Sequence, residues 1–358
     1  MSREMLAILA LVQALIVAVL FGLLIWHRIV RTLQDQYRSR KATGVTAALR
    51  EWVAGSGDGA AVATAFRRCP IPAGRQGIEE AWKEMGSEER ERVSELLRRS
   101  LWTRRARRSC RSRFWWKRME ASQILAFLDD PADVPVLRER LRDRAPAVRV
   151  GAIFAARALT PPQLLDDLLQ LVVKAEPARR KVLLDALAAY GAVVVPALAR
   201  HLEDPRLGTS ERASLLSLAE HLANSVREPE LTECVLPYTR DLQLEVRVKA
   251  VRALATLPGE RADARLLRAL RDPAWEVRAQ AAKALGRRGT PRAARALRQA
   301  LGDRTWWVRL RAGIALRQLG RAGRAELQGA QREADPFARD MADYALRLED
   351  AAVLEYGS

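Results

Sequence analysis

The chain has 358 residues, of which 49% are hydrophobic, and its 61 Lys and Arg outnumber its 43 Asp and Glu, for a formal net charge of +18 at pH 7. This hydrophobic share is typical of a globular protein and excludes a largely disordered chain. Cys69, Cys110 and Cys234 are scattered and odd in number, which argues against a disulfide framework or a zinc site and indicates a reducing compartment.

The first predicted element is a transmembrane helix over residues 5–26. Met5–Trp26 carries no charge, and at about 1.5 Å per residue it would span roughly 33 Å, enough to cross a bilayer core. His27, Arg28 and Arg31 follow it instead of a small-residue cleavage site, which favours a retained anchor over a signal peptide. Because the flanking basic residues lie mainly after the span, we expect a single-pass protein of a bacterial inner membrane, with a periplasmic N-terminus and a cytoplasmic remainder.

A stripe of small residues runs along this predicted span. It consists of Ala10, Ala14, Ala18 and Gly22, with Gln13 beside it. Small residues at this spacing let a second membrane helix approach closely, and a glutamine can add a hydrogen bond between helices. The stripe predicts packing against another membrane protein or a second copy of this chain. The alternative is that the alanines are ordinary apolar residues.

Two segments outside the main domain are less patterned. Residues 27–86 are predicted to form a juxtamembrane basic segment followed by short helices, broken at Gly55–Gly59 and Cys69–Gly74. They show no repeat and could serve as a cap or a spacer. Residues 350–358 are predicted to be an acidic C-terminal tail, with Asp350 and Glu355.

Residues 87–349 contain a repeat of about 31 residues. Four segments, which start at Asp143, Asp241, Asp272 and Asp303, share an Asp, then Val-Arg five and six residues later, then Ala and Leu. Extending the period gives eight marker arginines: Arg118, Arg149, Arg180, Arg212, Arg247, Arg278, Arg309 and Arg339. Each marker is predicted to open an amphipathic helix, for example with Val246, Ala250, Leu254 and Leu257 on one face, after a shorter helix. Helix pairs of this length must stack on their neighbours, which predicts an all-α solenoid.

Breaks between these units are predicted at four places: Pro258-Gly259, Gly286, Gly289 and Gly320.

These residues resemble the HEAT-repeat family, in particular its bacterial HEAT-like branch with the D…VR..A..AL.. signature. The resemblance is strong at the four quoted segments and weaker at Arg180 and Arg212, where Arg179 and Glu211 replace the valine. It implies that the repeated Asp and Arg form a structural ladder from each repeat to the next. The residues concerned are Asp143, Arg149, Asp241, Arg247, Asp272, Arg278, Asp303 and Arg309.

A basic and aromatic stretch, residues 98–118, belongs to the first repeat. Its predicted contact residues are Arg104, Arg105, Arg107, Arg108, Arg111, Arg113, Trp115 and Trp116, and most of the arginines are expected in the link between two helices. Anionic lipid headgroups or an acidic loop of a membrane protein would suit these cations. A solvated surface without a partner is the alternative. Nucleic acid is the less favoured partner, because the charge is not accompanied by a recognised nucleic-acid-binding fold.

A second aromatic group falls in the last repeats. Trp275 and Trp306 each lie three residues before their marker arginine, and Trp307 follows Trp306. With Arg304 and Arg311 they form a predicted partner-binding patch, since Trp and Arg are enriched at interface hot spots. The alternative is that these tryptophans fill gaps between stacked repeats.

No motif for catalysis, cofactor binding or metal binding is present. The three histidines, His27, His201 and His221, are isolated in sequence, and no phosphate-binding glycine loop occurs. The sequence therefore predicts no catalytic residues and no cofactor. It favours a membrane-anchored scaffold for a membrane-protein partner, such as a polysaccharide-making glycosyltransferase or another synthase, or a secretion complex. A membrane-tethered nucleic-acid-binding protein is the second hypothesis, and a cryptic enzyme the third.

Overall fold

The structure is a computed structural model that describes the backbone of residues 3–349 and the side chains of residues 19–349 apart from 177 and 178. Within that range all regular elements are helices, which confirms the all-α prediction. The chain divides into two compact units, Met1–Leu159 and Thr160–Ser358.

The described part of the first unit contains eight α-helices. They are α1 (Arg3–Val53), α2 (Gly59–Arg67), α3 (Ile71–Trp82), α4 (Ser87–Arg98), α5 (Leu101–Ser109), α6 (Trp115–Leu125), α7 (Val134–Leu141) and α8 (Pro146–Leu159). The short helices expected from residue 27 onward begin only with α2, because α1 continues to Val53. Between residues 27 and 53 there is no proline and a single glycine, Gly44, so nothing in this segment interrupts a helix.

The two ends of α1 have different surroundings. Near its C-terminal end Ala42, Val45 and Leu49 are buried, and the helix packs on α3. The Thr46 hydroxyl donates to the Gly77 carbonyl at 3.1 Å. Farther toward the N-terminus, where side chains are described from residue 19 onward, Phe21 and Trp26 are exposed. The C-terminal part of α1 is therefore an element of the first unit's core.

The second unit, as described to residue 349, contains twelve further α-helices. They are α9 (Leu165–Lys174), α10 (Pro177–Ala188), α11 (Val194–Leu202), α12 (Thr209–Leu222), α13 (Pro229–Val235), α14 (Leu244–Leu254), α15 (Glu260–Ala269), α16 (Trp275–Arg288), α17 (Ala294–Ala300), α18 (Trp306–Gln318), α19 (Gly320–Ala330) and α20 (Pro336–Arg347). Helices α12, α14, α16, α18 and α20 pack in sequence, each on the next.

The predicted repeat is confirmed. Every marker arginine is the fourth residue of a helix, and these helices are α6, α8, α10, α12, α14, α16, α18 and α20. A shorter helix precedes each of them, so the even-numbered helices from α6 onward are the second members of helical hairpins. Val246, Ala250, Leu254 and Leu257 are fully buried, as the spacing predicts for the face that packs on neighbouring repeats.

Among the described residues, the aspartate–arginine ladder is confirmed at three steps between successive repeats. Arg118 donates through Nε and Nη2 to the two carboxylate oxygens of Asp143, both at 2.8 Å. Within the second unit, Arg247 binds Asp272 at 3.1 and 3.2 Å, and Arg278 binds Asp303 at 2.7 and 2.8 Å.

Each of these arginines also binds the chain just before its own helix. For example, Arg278 Nη1 donates to the Asp272 carbonyl at 2.9 Å. Arg149 and Arg309 make the corresponding bond to the carbonyls of Asp143 and Asp303, both at 2.8 Å. Asp241 Oδ1 accepts from the Gln243 N–H at 2.8 Å, a bond that the other ladder aspartates also make to the residue two positions on. In Arg247 and Arg278, one guanidinium therefore binds both the chain before its own helix and the aspartate of the next repeat.

Gly286 does not break a helix, contrary to its predicted role, since it lies inside α16. A methyl group at this position would come within 2.7 Å of the Ala315 Cα atom. The glycine therefore permits the close approach of α16 and α18. The break comes at Gly289, which has a φ of +65° and ends the helix in the left-handed conformation that glycine favours.

The Arg118–Asp143 pair predicts a dependence of stability on acid. The hydrogen bond from Arg118, against the opposing effect of burial, lowers the pKa of the Asp143 carboxyl in the folded state. Its stabilising contribution is therefore complete above the unfolded-state pKa of about 4 and is lost as the pH falls through the lower folded-state pKa. We expect Asp143→Asn to lower the urea midpoint at pH 7 but to change it progressively less as the pH falls through the folded-state pKa of this carboxyl, because the native side chain is then protonated as well. An equal loss across this pH range would contradict this account.

The membrane-span prediction concerns residues that are only partly described. Among the described residues, no single helix combines the length and mean hydropathy of a membrane span. One bent pair, Arg179–Ala188 with Gly191–Leu202, meets these criteria together across an angle of 112°. In the predicted packing stripe, the side chains of Ala10, Gln13, Ala14 and Ala18 lie outside the described residues, and Gly22 has open space around it.

Candidate functional site

A groove crosses the first turns of three successive second-member helices, α14, α16 and α18. Its volume is about 590 Å³. The lining residues are Leu244, Glu245, Val248, Trp275, Glu276, Ala279, Gln280, Trp307 and Arg311. We call this the aromatic groove.

Aromatic side chains are exposed at the start of these helices. In α14 and α16 the arginine at the fourth position binds the aspartate of the next repeat. Trp275 occupies the first position of α16, and Trp306 and Trp307 the first two positions of α18. Their exposed fractions are 39%, 47% and 51%, so they do not merely fill gaps between repeats.

The structure brings together part of the predicted patch. Trp275, Trp307 and Arg311 line the groove, whereas Trp306 packs edge-on against Trp307 with ring centroids 4.8 Å apart. Arg304 is exposed and is not among the lining residues.

Sequence reasoning missed the aliphatic wall. Leu244 occupies the same first helix position as Trp275 and Trp306, and Val248 lies one turn further along α14. The shared position of Leu244 in the repeat was the signal that could have identified it.

Basic side chains lie beside the groove on the same set of helices. Burial first, and then the neighbouring cations Arg252 and Arg180, lower the pKa of Lys249. Burial and the nearby Arg311 do the same for Lys283. Because cations destabilise one another when they are partly removed from water, an acidic group bound here would relieve that repulsion. The site thus combines an apolar channel, whose lining also contains Glu245 and Glu276, with cations on the same helices.

The basic stretch of the first unit is partly used inside that unit. Arg104, Arg105, Arg107 and Arg108 lie in α5 rather than in the expected link, and only Arg111 and Arg113 lie between helices. Arg107 donates to Asp133 at 2.8 Å and also pairs with Asp130. Arg105 donates to the Cys69 carbonyl. These two arginines therefore support the fold.

The rest of the stretch is a surface cluster. Arg104, Arg108, Arg111 and Arg113 are exposed, as are Trp115 and Trp116 at 47% and 44%. The Phe114 ring lies 4.6 Å from that of Trp116. The Arg113 guanidinium lies 4.6 Å, and the Lys117 ammonium 5.3 Å, from the centroid of the Phe114 ring. This arrangement leaves two indole rings and several cations available on one surface of the first unit.

The remaining reactive groups are isolated. His201 Nε2 lies 3.1 Å from Asp166, which also pairs with Arg200, and His221 Nε2 lies 3.0 Å from Asp185. Burial raises the thiol pKa of both Cys110 and Cys234 to about 12, and also raises that of Cys69. Within the described part of the chain, no group of three or more His, Cys, Asp or Glu side chains could hold a metal ion.

Comparison with known proteins identifies the repeats. A family model for HEAT repeats matches residues 232–317 and, in a second overlapping match, residues 263–347. The helical hairpins of this region are HEAT repeats, as the resemblance implied. No curated protein matches the chain.

Several solved structures are similar to the chain. Human deoxyhypusine hydroxylase in complex with glycerol is 19% identical, with 91% of this chain and 99% of that chain covered and a TM-score of 0.29. Kap121p bound to Nup53p is 14% identical, with 85% and 45% covered and a TM-score of 0.40. An engineered protein is 15% identical, with 85% and 98% covered and a TM-score of 0.29. Likenesses at this level carry no inference about activity or partner.

Proposed function

We propose that this chain is a non-catalytic scaffold that is anchored in a membrane by the N-terminal part of α1 and binds a protein partner in the aromatic groove. The observation that carries the proposal is the exposure of Trp275 and Trp307 on the walls of one groove whose other apolar residues include Leu244 and Val248. Exposed tryptophans around an apolar channel match the composition of interface hot spots. The HEAT-repeat fold is compatible with a protein-interaction role.

Two features of the first unit support the membrane part of the proposal. Large apolar residues from Val19 to Ile29, among them Phe21, Leu24 and Trp26, are exposed on α1. They continue the uncharged run that starts at Met5. Exposed apolar side chains over three turns of helix are costly in water and favourable in lipid.

The surface cluster around Trp115 and Trp116 suits the headgroup region, where indole rings and cations both bind favourably. In this arrangement the part of the chain that follows the membrane-spanning end of α1 faces the cytoplasm of a bacterial cell. The partner is a membrane protein whose cytosolic segment places apolar side chains in the aromatic groove. A membrane-embedded synthase or secretion complex is the partner class that we propose.

The test compares co-purification from native membranes in mild detergent. Wild type, Trp275→Ala/Trp307→Ala and the matched control Tyr344→Ala would each be tagged and the co-purifying proteins quantified by mass spectrometry. Tyr344 is exposed to 45% on α20 and is not among the groove-lining residues. Since truncation of a hot-spot tryptophan costs about 2 kcal/mol or more, we expect one membrane protein to fall at least about thirtyfold in the double variant only.

A second arm examines the anchor. Changing Ala10, Ala14, Ala18 and Gly22 together to leucine would keep the span apolar while removing the small-residue stripe. We expect this variant to stay in the membrane fraction but to lose the same partner. A wild-type protein that washes out of membranes with salt would refute the anchor, and a partner retained by both variants would refute the scaffold proposal.

A further inference from the structure

A second groove lies on the opposite members of the hairpins, between the shorter helices α15 and α17. Its volume is about 540 Å³. One wall is formed by Arg268, near the end of α15, and Arg271, just after that helix. The other is formed by Arg292, just before α17, and Arg295, the second residue of α17. Leu267 and Leu270 contribute to an aliphatic floor. We call this the arginine groove.

The four wall arginines are exposed and are not neutralised by their neighbours. Among the described residues, Arg292 is the one of the four that forms an ion pair. Its partner is Glu260, at 3.9 Å, and the two side chains are 87% and 94% exposed. A pair of this length and exposure contributes little. The two walls therefore expose four guanidinium groups to solvent.

The nearby aspartates are engaged elsewhere. Asp303, which lines the groove, accepts two hydrogen bonds from Arg278 at 2.7 and 2.8 Å. Asp272, next to Arg271, is bound by Arg247, and Asp263 is bound by Arg288. The ladder and its neighbouring ion pairs thus remove the carboxylates that would otherwise compensate the groove.

Arg265, on the same helix as Arg268, shows the effect of this imbalance. Its Nη1 is buried and has no hydrogen-bond acceptor among the described residues. Burial first, and then Arg240, Arg268 and Arg261, lower the pKa of this guanidinium. Cations that crowd together in this way favour an incoming carboxylate.

We propose that the arginine groove binds an acidic amphipathic helix of a partner protein, whose apolar stripe packs on Leu267 and Leu270 and whose carboxylates pair with Arg268, Arg271, Arg292 and Arg295. Arginine forks bind carboxylates bidentately, and the arginines of each wall are spaced three residues apart. Both walls line the same groove, so they can reach the two flanks of one helix that lies over it.

The floor of the groove distinguishes this occupant from single-stranded nucleic acid. Binding of unpaired bases relies on aromatic side chains on which the bases stack. The lining contains none, and its uncharged part consists of Leu267, Leu270, Ala296 and Ala300 with Gln299. Aliphatic side chains suit leucine or isoleucine from a helix instead. This proposal does not depend on the aromatic groove, which lies on the other set of helices.

The test uses the full-length protein in detergent and fluorescence anisotropy with three labelled probes. The first is a synthetic helical peptide with leucines at positions i, i+3, i+4 and i+7 and glutamates on both flanks. The second has the same composition in an order that destroys the apolar stripe. The third is a single-stranded oligothymidylate. Each probe would be titrated at a salt concentration of about 100 mM and again at about 300 mM, because exposed ion pairs are screened over this range.

The groove variant is Arg268→Glu/Arg295→Glu, with Arg268→Gln/Arg295→Gln as a milder form. The matched control is Arg321→Glu/Arg332→Glu, which makes the same change in net charge at two exposed arginines that do not line the groove. Circular dichroism would establish that the variants are folded. We expect the striped peptide to bind wild type and the control alike and to bind the groove variant at least about tenfold more weakly, since each lost charge-assisted pair is worth about 1.5 kcal/mol or more.

Three results would overturn the proposal. Equal binding of the two peptides would show that the floor is not used. Equal losses in the groove variant and the control would show only a response to net charge. Tighter binding of the oligothymidylate, lost in the groove variant, would assign the groove to nucleic acid.

Discussion

Replacing Arg278 by alanine is expected to lower the free energy of unfolding of the second unit by about 3–5 kcal/mol, because it leaves a partly buried carboxylate without its partner. The Arg278 and Asp303 side chains are only 8% and 13% exposed. The change also removes the bonds from Arg278 Nη1 to the carbonyls of Asp272 and Pro273, at 2.9 and 3.1 Å. One substitution therefore disrupts both the start of α16 and its tie to the next repeat.

The measurement is urea unfolding of full-length protein, with hydrogen exchange of α16 and α18 as a local readout. Repeats are stabilised mainly by their nearest neighbours, so we expect faster exchange in these two helices before others. Arg292→Ala is the control, because its pair with Glu260 is long and exposed, and it should change stability by less than about 0.5 kcal/mol. A loss below about 1 kcal/mol for Arg278→Ala would contradict a stabilising ladder.

The second large effect is expected at Gly77, where α1 approaches α3. A methyl group there would lie 2.7 Å from the Ala42 carbonyl oxygen and 2.8 Å from the Val45 Cβ atom. The backbone oxygen cannot move aside cheaply, and overpacking of this kind costs about 1–3 kcal/mol. Gly77→Ala should also weaken the hydrogen bond from the Thr46 hydroxyl to the Gly77 carbonyl. We expect the C-terminal part of α1 to separate more often from the first unit.

Gly44→Ala is the matched control for this change. Gly44 is in α1 itself, and a methyl group there meets no atom within 4 Å. The same substitution should be neutral or should stabilise the helix by up to about 1 kcal/mol, through helix propensity. Hydrogen exchange over residues 42–53 distinguishes the two variants. Similar protection in both would show that the close approach of α1 and α3 does not hold α1 in place.

Much of the fold follows from local patterns in the sequence. The Asp–Val–Arg spacing identifies where the second helix of each hairpin begins, because the same side chains must face the same neighbours in every repeat. All eight marker arginines accordingly occupy the fourth position of a helix. The same periodicity places Trp275 and Trp306 at equivalent helix positions, which left an exposed patch and a gap-filling role as the two alternatives.

The candidate sites depend on contacts that periodicity does not encode. Arg107 carries the same charge as Arg108 in the sequence, but only the tertiary structure pairs Arg107 with Asp130 and Asp133. In the same way, Trp307 lines the aromatic groove while Trp306 packs against its ring.

The arginine groove arises where two helices separated by more than twenty residues come together while the ladder occupies the neighbouring aspartates. The sequence by itself determined the period and the helix starts, since these are properties of single helices, whereas the exposure of the tryptophans was shown only by the tertiary structure. The pairing of charges and the convergence of side chains from different helices were decided by the tertiary structure, because they depend on distances across the stack.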